Sequence, residues 1–136
     1  MRYLAVDLGD RRTGLATGDS ETRFVQPALV LEIARGPALV EAIAREVARR
    51  DAEAIVLGLP LNMDDTEGDR AKLTRAFGAD LAATVGIPIH YQDERLTSDA
   101  AERHLDGSGR TRQQKKKVRD ALAAAEILAD FLEAQS

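Results

Sequence analysis

The spacing of apolar positions changes several times along the chain, and each change marks an element. Residues 2–8 are apolar and β-compatible and stop at Gly9, which predicts a first strand. The polar turn Gly9-Asp10-Arg11-Arg12 joins it to a second strand over residues 13–17, as in a hairpin. Residues 24–33 predict a third strand, in which Pro27 demands an edge position or a bulge. The period then lengthens. Leu39, Val40, Ile43, Ala44 and Val47 recur at helical spacing behind Pro37, and Arg49-Arg50 suits the C-terminal end of that helix. Residues 54–57 form a short buried strand running into Gly58-Leu59-Pro60. Leu73, Ala76, Phe77 and Leu81 predict a second helix that Gly86 caps, and residues 87–92 a fifth strand. Thr97-Ser98 offer N-cap oxygens for a short helix reaching about Leu105. Thr111, with Gln114 three residues on, resembles a capping box for a last helix reaching about Phe131.

The order is β-β-β-α-β-α-β-α-α. Hairpin-linked strands followed by βα crossovers predict an α/β fold with a mixed five-stranded sheet flanked by helices. No repeat, low-complexity tract or linker interrupts the pattern, so residues 1–136 are expected to form a single domain. A chain of this length buries roughly two-thirds of its unfolded surface, enough for a substantial core.

Composition narrows the class. With 44% hydrophobic and 31% charged residues, the chain is expected to be soluble and folded. It has no cysteine, which excludes disulfides and cysteine-ligated zinc. No apolar run could span a bilayer, and Met1-Arg2-Tyr3 leads directly into a strand, so a cytoplasmic location is expected. The net charge of −4 argues against a bulk nucleic-acid coat protein. Its placement is uneven, however. Arg110, Arg112, Lys115, Lys116, Lys117 and Arg119 follow one another with no acid among them. Such runs are usually solvated, but this one opens a helix, where cations oppose the dipole, and it ends beside Asp120.

Three acidic positions carry the candidate chemistry. Asp7 lies near the end of an apolar strand, where an unpaired carboxylate is costly; a hydrogen-bonded turn aspartate is the plain alternative. Asp120 precedes the apolar stripe Ala123, Ala124, Ile127, Leu128 and Phe131 by helical intervals, so it sits at the upper end of the core-facing side. It either faces a cation or forms an internal salt bridge, for instance to Arg12. Asp93 and Glu94 close the fifth strand on opposite faces, so only one of them enters a shared site, and alternation leaves open which. A site of Asp7, Asp120 and one of this pair is all-oxygen and suits Mg2+ or Mn2+. Its natural chemistry is in-line phosphodiester hydrolysis with two ions roughly 4 Å apart. The loop from Gly58 to Gly68 offers backbone N–H groups to phosphate, with Asn62 and Thr66 as further donors, or is an ordinary βα connection. The basic run, chiefly Lys115, Lys116, Lys117 and Arg119, and the exposed candidates Arg11, Arg12 and Arg95 would hold a phosphate backbone beside the acids. His90 reads as a strand packing residue and His104 as part of a polar helix, so zinc has little support.

Four segments together resemble the YqgF/RuvX family, relatives of the RuvC Holliday-junction resolvase in the ribonuclease H-like superfamily. They are Asp7-Leu-Gly-Asp-Arg-Arg-Thr-Gly-Leu-Ala16, Gly58-Leu-Pro60 with Asn62 and Gly68, Asp93-Glu-Arg-Leu-Thr-Ser98, and Asp120-Ala-Leu-Ala-Ala124 followed by Ile127-Leu128. The resemblance spans nearly the whole chain. It implies a ribonuclease H-like fold and a metal-binding acidic site, and it carries the catalytic role onto Asp7, Glu94 and Asp120, leaving Asp93 as the alternate. One departure stands out: Asp65 occupies a place where the family usually has glycine, which bears on the loop's shape. The resemblance implies either Holliday-junction resolution or maturation of the 5′ end of pre-16S rRNA. Aromatic residues are only 4%, too few for a stacking platform, so recognition would rest on phosphate backbone and shape. A homodimer would suit symmetric junction cleavage. Two other classes compete. Asp7-Leu-Gly9 with Gly14 resembles the first phosphate loop of actin-type and sugar-kinase phosphotransferases, which need two such domains where this length allows one. A silent nucleic-acid-binding module would have no reason to keep all three acids.

Overall fold

The computed structural model describes residues 1–94 and 112–135, with the backbone alone for 112–117. Its elements are β1 (Arg2–Asp7), β2 (Thr13–Asp19), β3 (Val25–Leu31), α1 (Pro37–Arg50), β4 (Ala54–Leu59), α2 (Asp69–Val85), β5 (Ile89–Asp93) and α3 (Arg112–Ala134). The strands form one sheet in the order β3-β2-β1-β4-β5. β1, β2 and β3 pair antiparallel through their hairpins, whereas β4 and β5 join β1 in parallel. The mixed sheet expected from the element order is present.

Strand alternation divides the core between the two faces of this sheet. On one face Leu4, Val6, Leu15, Ile55 and Leu57 pack beneath α1 and α2, joined by Ile43, Phe77 and Leu81. On the other, Tyr3, Ala5, Ala16, Ala54 and Val56 pack beneath α3, which contributes Ala124, Ile127, Leu128 and Phe131. The second face is lined largely by alanines, so α3 approaches the sheet closely.

Several boundaries differ from the pattern. β3 ends at Leu31, and Pro27 sits on the sheet edge beside a register shift opposite Leu15 and Ala16, so it meets both of its alternatives. α1 starts at Pro37 as expected, and Gly86 caps α2 in the left-handed conformation at φ 69°. The buried face of α2 is Ala71, Thr74, Phe77, Gly78 and Leu81; Leu73 and Ala76, expected inside, are exposed. Polar Thr74 takes an inward position because its hydroxyl donates to the Arg70 carbonyl at 2.9 Å. The short helix expected from Thr97-Ser98 and the cap at Thr111 lie outside the described residues. Among the described residues, no helix is long and apolar enough to cross a membrane.

Candidate active site

Alternation along β1 places Asp7 on the α3 face. Tyr3 and Ala5, four and two residues earlier, pack against α3, while Leu4 and Val6 point the other way. The same argument separates Asp93 from Glu94 at the end of β5. Ile89 and Tyr91 pack on the α1/α2 side. His90 lies on the α3 side, its ring centroid 6.5 Å from Tyr3 and 5.1 Å from Phe131, which makes it the packing residue expected. Glu94 shares the parity of His90, and its N–H extends the ladder by donating to the Leu59 carbonyl at 3.3 Å. Glu94 therefore joins Asp7, and Asp93 takes the parity of Tyr91.

β4 lies between β1 and β5, so its side chain at this level would separate the two acids. That position is Gly58. A Cβ there would collide with Glu94 Oε2 and lie 2.6 Å from Ile127 Cδ1. Because glycine leaves this space open, the carboxyl groups of Asp7 and Glu94 meet in a hydrogen bond. Burial pushes the Asp7 carboxyl up, and the charge of Glu94, that hydrogen bond and the charge of Asp120 push it further, to about 8. Burial also raises Glu94, against the opposing effects of its bond to Asp7 and the Arg70 guanidinium. Near neutral pH, Asp7 thus keeps its proton and donates it to the Glu94 carboxylate. Two partly buried carboxyl groups at one point avoid a double negative charge in this way when no cation is shared between them.

Asp120 comes from α3, in the third turn of the described helix. Its backbone presses on β2 at Gly14, where a Cβ would overlap the Asp120 carbonyl and lie 2.9 Å from the Ala121 nitrogen. The side chain is close enough to Asp7 to raise its proton affinity. Its Oδ2 accepts a hydrogen bond from Arg12 Nε at 2.9 Å, the internal salt bridge that was the alternative to a cation. Among the described residues, no three His, Cys, Asp or Glu side chains are drawn together as a ready cage for an ion. Asp7 and Glu94 converge, and Arg12 stands on the third acid. The donor set still fits a hard divalent cation: every donor is a carboxylate oxygen, and the proton between Asp7 and Glu94 is one that a cation would displace.

The other expected contacts fall around this centre. Arg11 and Arg12 line an open cleft of about 410 Å3 with Gly9, Asp10 and Asp120. Asp10 is bound there by Arg35 at 2.6 Å and Arg70 at 3.8 Å. Arg119 is half-buried immediately before Asp120. Lys115, Lys116 and Lys117 belong to the first turns of α3, but their side chains lie outside the described residues, as does Arg95. Asn62 differs from expectation. Its amide nitrogen donates to Thr66 Oγ1 at 3.0 Å and Thr66 in turn to Asp64, so these side chains bond one another and shape the loop. Asp65 in the same loop adopts φ 69°, the left-handed conformation for which glycine is suited. Three positions that the sequence pattern did not connect to the acids help build the site: Gly14, Gly58 and Arg70. A glycine inside a strand marks close approach of another group, a signal present in the sequence for both glycines. Arg70 carried none, because it reaches the acids only through the fold.

Comparison with known proteins agrees with this architecture. Residues 1–134 match the RuvX family, described as Holliday junction resolvase. A protein of Anaeromyxobacter dehalogenans (strain 2CP-C) named "Putative pre-16S rRNA nuclease" is 43% identical over 134 residues, 98% of this chain and 97% of its own. One of the same name from Anaeromyxobacter sp. (strain Fw109-5) is 39% identical over 133 residues, with 98% and 97% covered. Among solved structures, Thermus thermophilus RuvC in complex with a Holliday junction substrate superposes with a TM-score of 0.60 at 16% identity, covering 99% of this chain and 95% of that one. The last likeness is one of fold, and it identifies the sheet as ribonuclease H-like. The phosphotransferase and silent-module readings give way to a nuclease: this chain belongs to the RuvX family.

Proposed function

We propose that the chain is a divalent-metal-dependent endonuclease acting on structured nucleic acid, with Asp7, Glu94 and Asp120 as its catalytic carboxylates. The observation that carries this reading is the Asp7–Glu94 pair over Gly58, two partly buried acids sharing one proton where a cation would relieve both. Bound Mg2+ or Mn2+, as one ion or two, would supply an activated water and charge on the leaving oxygen. The protein's own part is positioning. Gly58 keeps the space clear, the β5 register aims Glu94, and Gly14 lets α3 bring Asp120 to the same edge of the sheet. Arg11, Arg12 and Arg119 border the acids and hold the phosphate backbone, together with Lys115, Lys116, Lys117 and Arg95, which lie near Asp120 and Glu94 in the sequence. Asn62 acts through the loop it closes with Thr66.

The preferred substrate is precursor 16S rRNA, because relatives of about 40% identity over nearly their whole length are named for it. A second reading, resolution of a four-way DNA junction, rests on the family description. The two differ in what they require of the assembly. Symmetric junction cleavage calls for a homodimer, whereas trimming an RNA end needs one chain. The test is cleavage of a structured precursor rRNA and a four-way DNA junction side by side, with Mn2+ and with EDTA. Cutting by the wild type in Mn2+ alone, lost in Asp7→Asn, Glu94→Gln and Asp120→Asn, is expected. Full activity in EDTA would sink the metal reading, and normal cutting by Glu94→Gln with none by Asp93→Asn would reverse the assignment in β5.

A further inference from the structure

Arg12 is a candidate both as the partner of Asp120 and as a phosphate contact, and its surroundings suit both roles in turn. Its backbone is fixed. A Cβ at Gly9 would overlap the Arg12 carbonyl, and the Gly9 N–H donates to Oγ1 of Thr13, a fully buried residue, at 3.3 Å. Its side chain is less confined. It is 37% exposed, lines the open cleft beside Arg11, and touches Asp120 through Nε at 2.9 Å. The charges in the site complete the picture. The Arg12 guanidinium sets its charge against Asp120, the acid that stands beside the Asp7–Glu94 pair.

We infer that Arg12 stands in for a cation on Asp120 in the metal-free protein, and that a divalent ion and Arg12 exchange there, freeing the guanidinium for a substrate phosphate. This rests on the metal site proposed above. The entering ion would take over the charge that Arg12 now sets against Asp120. The released guanidinium keeps its anchored backbone at the cleft and presents a planar fork matched to phosphate oxygens. Metal and nucleic acid then strengthen each other's binding, by the same factor in both directions.

The experiment is calorimetric titration of Mn2+ into the wild type, Arg12→Gln and Arg12→Lys without nucleic acid, with urea melts confirming that each is folded. A half-exposed ion pair is worth at most about a five-fold change in an equilibrium constant. Arg12→Gln should therefore bind Mn2+ about three- to five-fold more tightly than the wild type, with Arg12→Lys between them. In parallel, affinity for the precursor rRNA and the DNA junction is measured in EDTA and in Ca2+ at matched ionic strength. The wild type should gain affinity with Ca2+, and Arg12→Gln should lose that gain by a similar factor. Equal Mn2+ affinity in wild type and Arg12→Gln overturns the exchange and leaves the metal site standing. Weaker affinity in Arg12→Gln also overturns it, by showing that Arg12 holds Asp120 ready for the ion. Absence of Mn2+ binding in every protein overturns the metal site and the exchange together.

Discussion

Asp7→Asn tests the shared proton directly, without nucleic acid. Asparagine keeps the size of the side chain and a donor for Glu94 but removes the titration. In the folded protein Asp7 holds its proton up to about 8, against 3.8 for an ordinary aspartate. Between these values the native state binds a proton that the unfolded chain has released, so metal-free stability falls as pH rises through that window. Each unit of pH within it corresponds to about 1.4 kcal/mol. Asp10, Asp19, Asp64 and Glu67 are exposed acids held low by their partners. Their contribution has the opposite sign, appears near the ordinary carboxylate range, and cancels when the two proteins are compared at one pH. The stability of Asp7→Asn relative to wild type should therefore rise by about 3 kcal/mol between about pH 5 and pH 7.5. For a chain of this size that is on the order of 10 °C in melting temperature. The assay is urea denaturation of both proteins in EDTA across that range, repeated with Mg2+, which should flatten the wild-type profile only. Parallel pH profiles in EDTA would refute the reasoning, because they would show that Asp7 titrates alike in the folded and unfolded states.

Other substitutions probe the remaining parts. Gly58→Ala puts a methyl group where Glu94 and Ile127 converge; cleavage should fall by at least about 100-fold with a stability loss of about 1–3 kcal/mol, and near-normal activity would show that the acids do not meet there. Asp65→Gly should raise the urea midpoint by the equivalent of about 0.5–1 kcal/mol, since the native φ is 69°, and a lowered midpoint would contradict this. Changing Lys115, Lys116 and Lys117 together to Gln should make nucleic-acid binding less sensitive to salt, lowering the logarithmic slope by about 0.7–0.9 for each phosphate these lysines neutralise; an unchanged slope would move the binding surface to Arg11 and Arg12.

The sheet and its crossovers were legible because they rest on period. Short apolar, β-compatible runs ending at glycine marked β1 and β4, and helical spacing marked α1 and α3 with the stripe that packs Ile127 and Leu128. The inward face of α2 was misread because Thr74, polar but bonded to its own helix, takes a position where apolar residues were sought, while Leu73 faces out. Asp7 and Asp120 stood out as acids tied to apolar patterns. Choosing Glu94 over Asp93 from the residues alone needed the packing of His90, a contact with Tyr3 and Phe131 distant in sequence. The electrostatics were illegible for a similar reason. That Asp7 carries a proton, and that Arg70 acts on both acids, follows from burial and proximity that no local pattern encodes.

The division of the core between two faces has a consequence for the order of events during synthesis. β1 to β5 with α1 and α2 emerge from the ribosome before α3, and they contain every residue of the core cluster on the first face. Until α3 follows, Tyr3, Ala5, Ala16, Ala54 and Val56 remain uncovered, and the edge of the sheet holds Asp7 and Glu94 without Asp120. Until then the chain lacks one of the three carboxylates proposed for its site. The same helix that seals the second face brings Asp120, so the proposed site is assembled only when that face is covered.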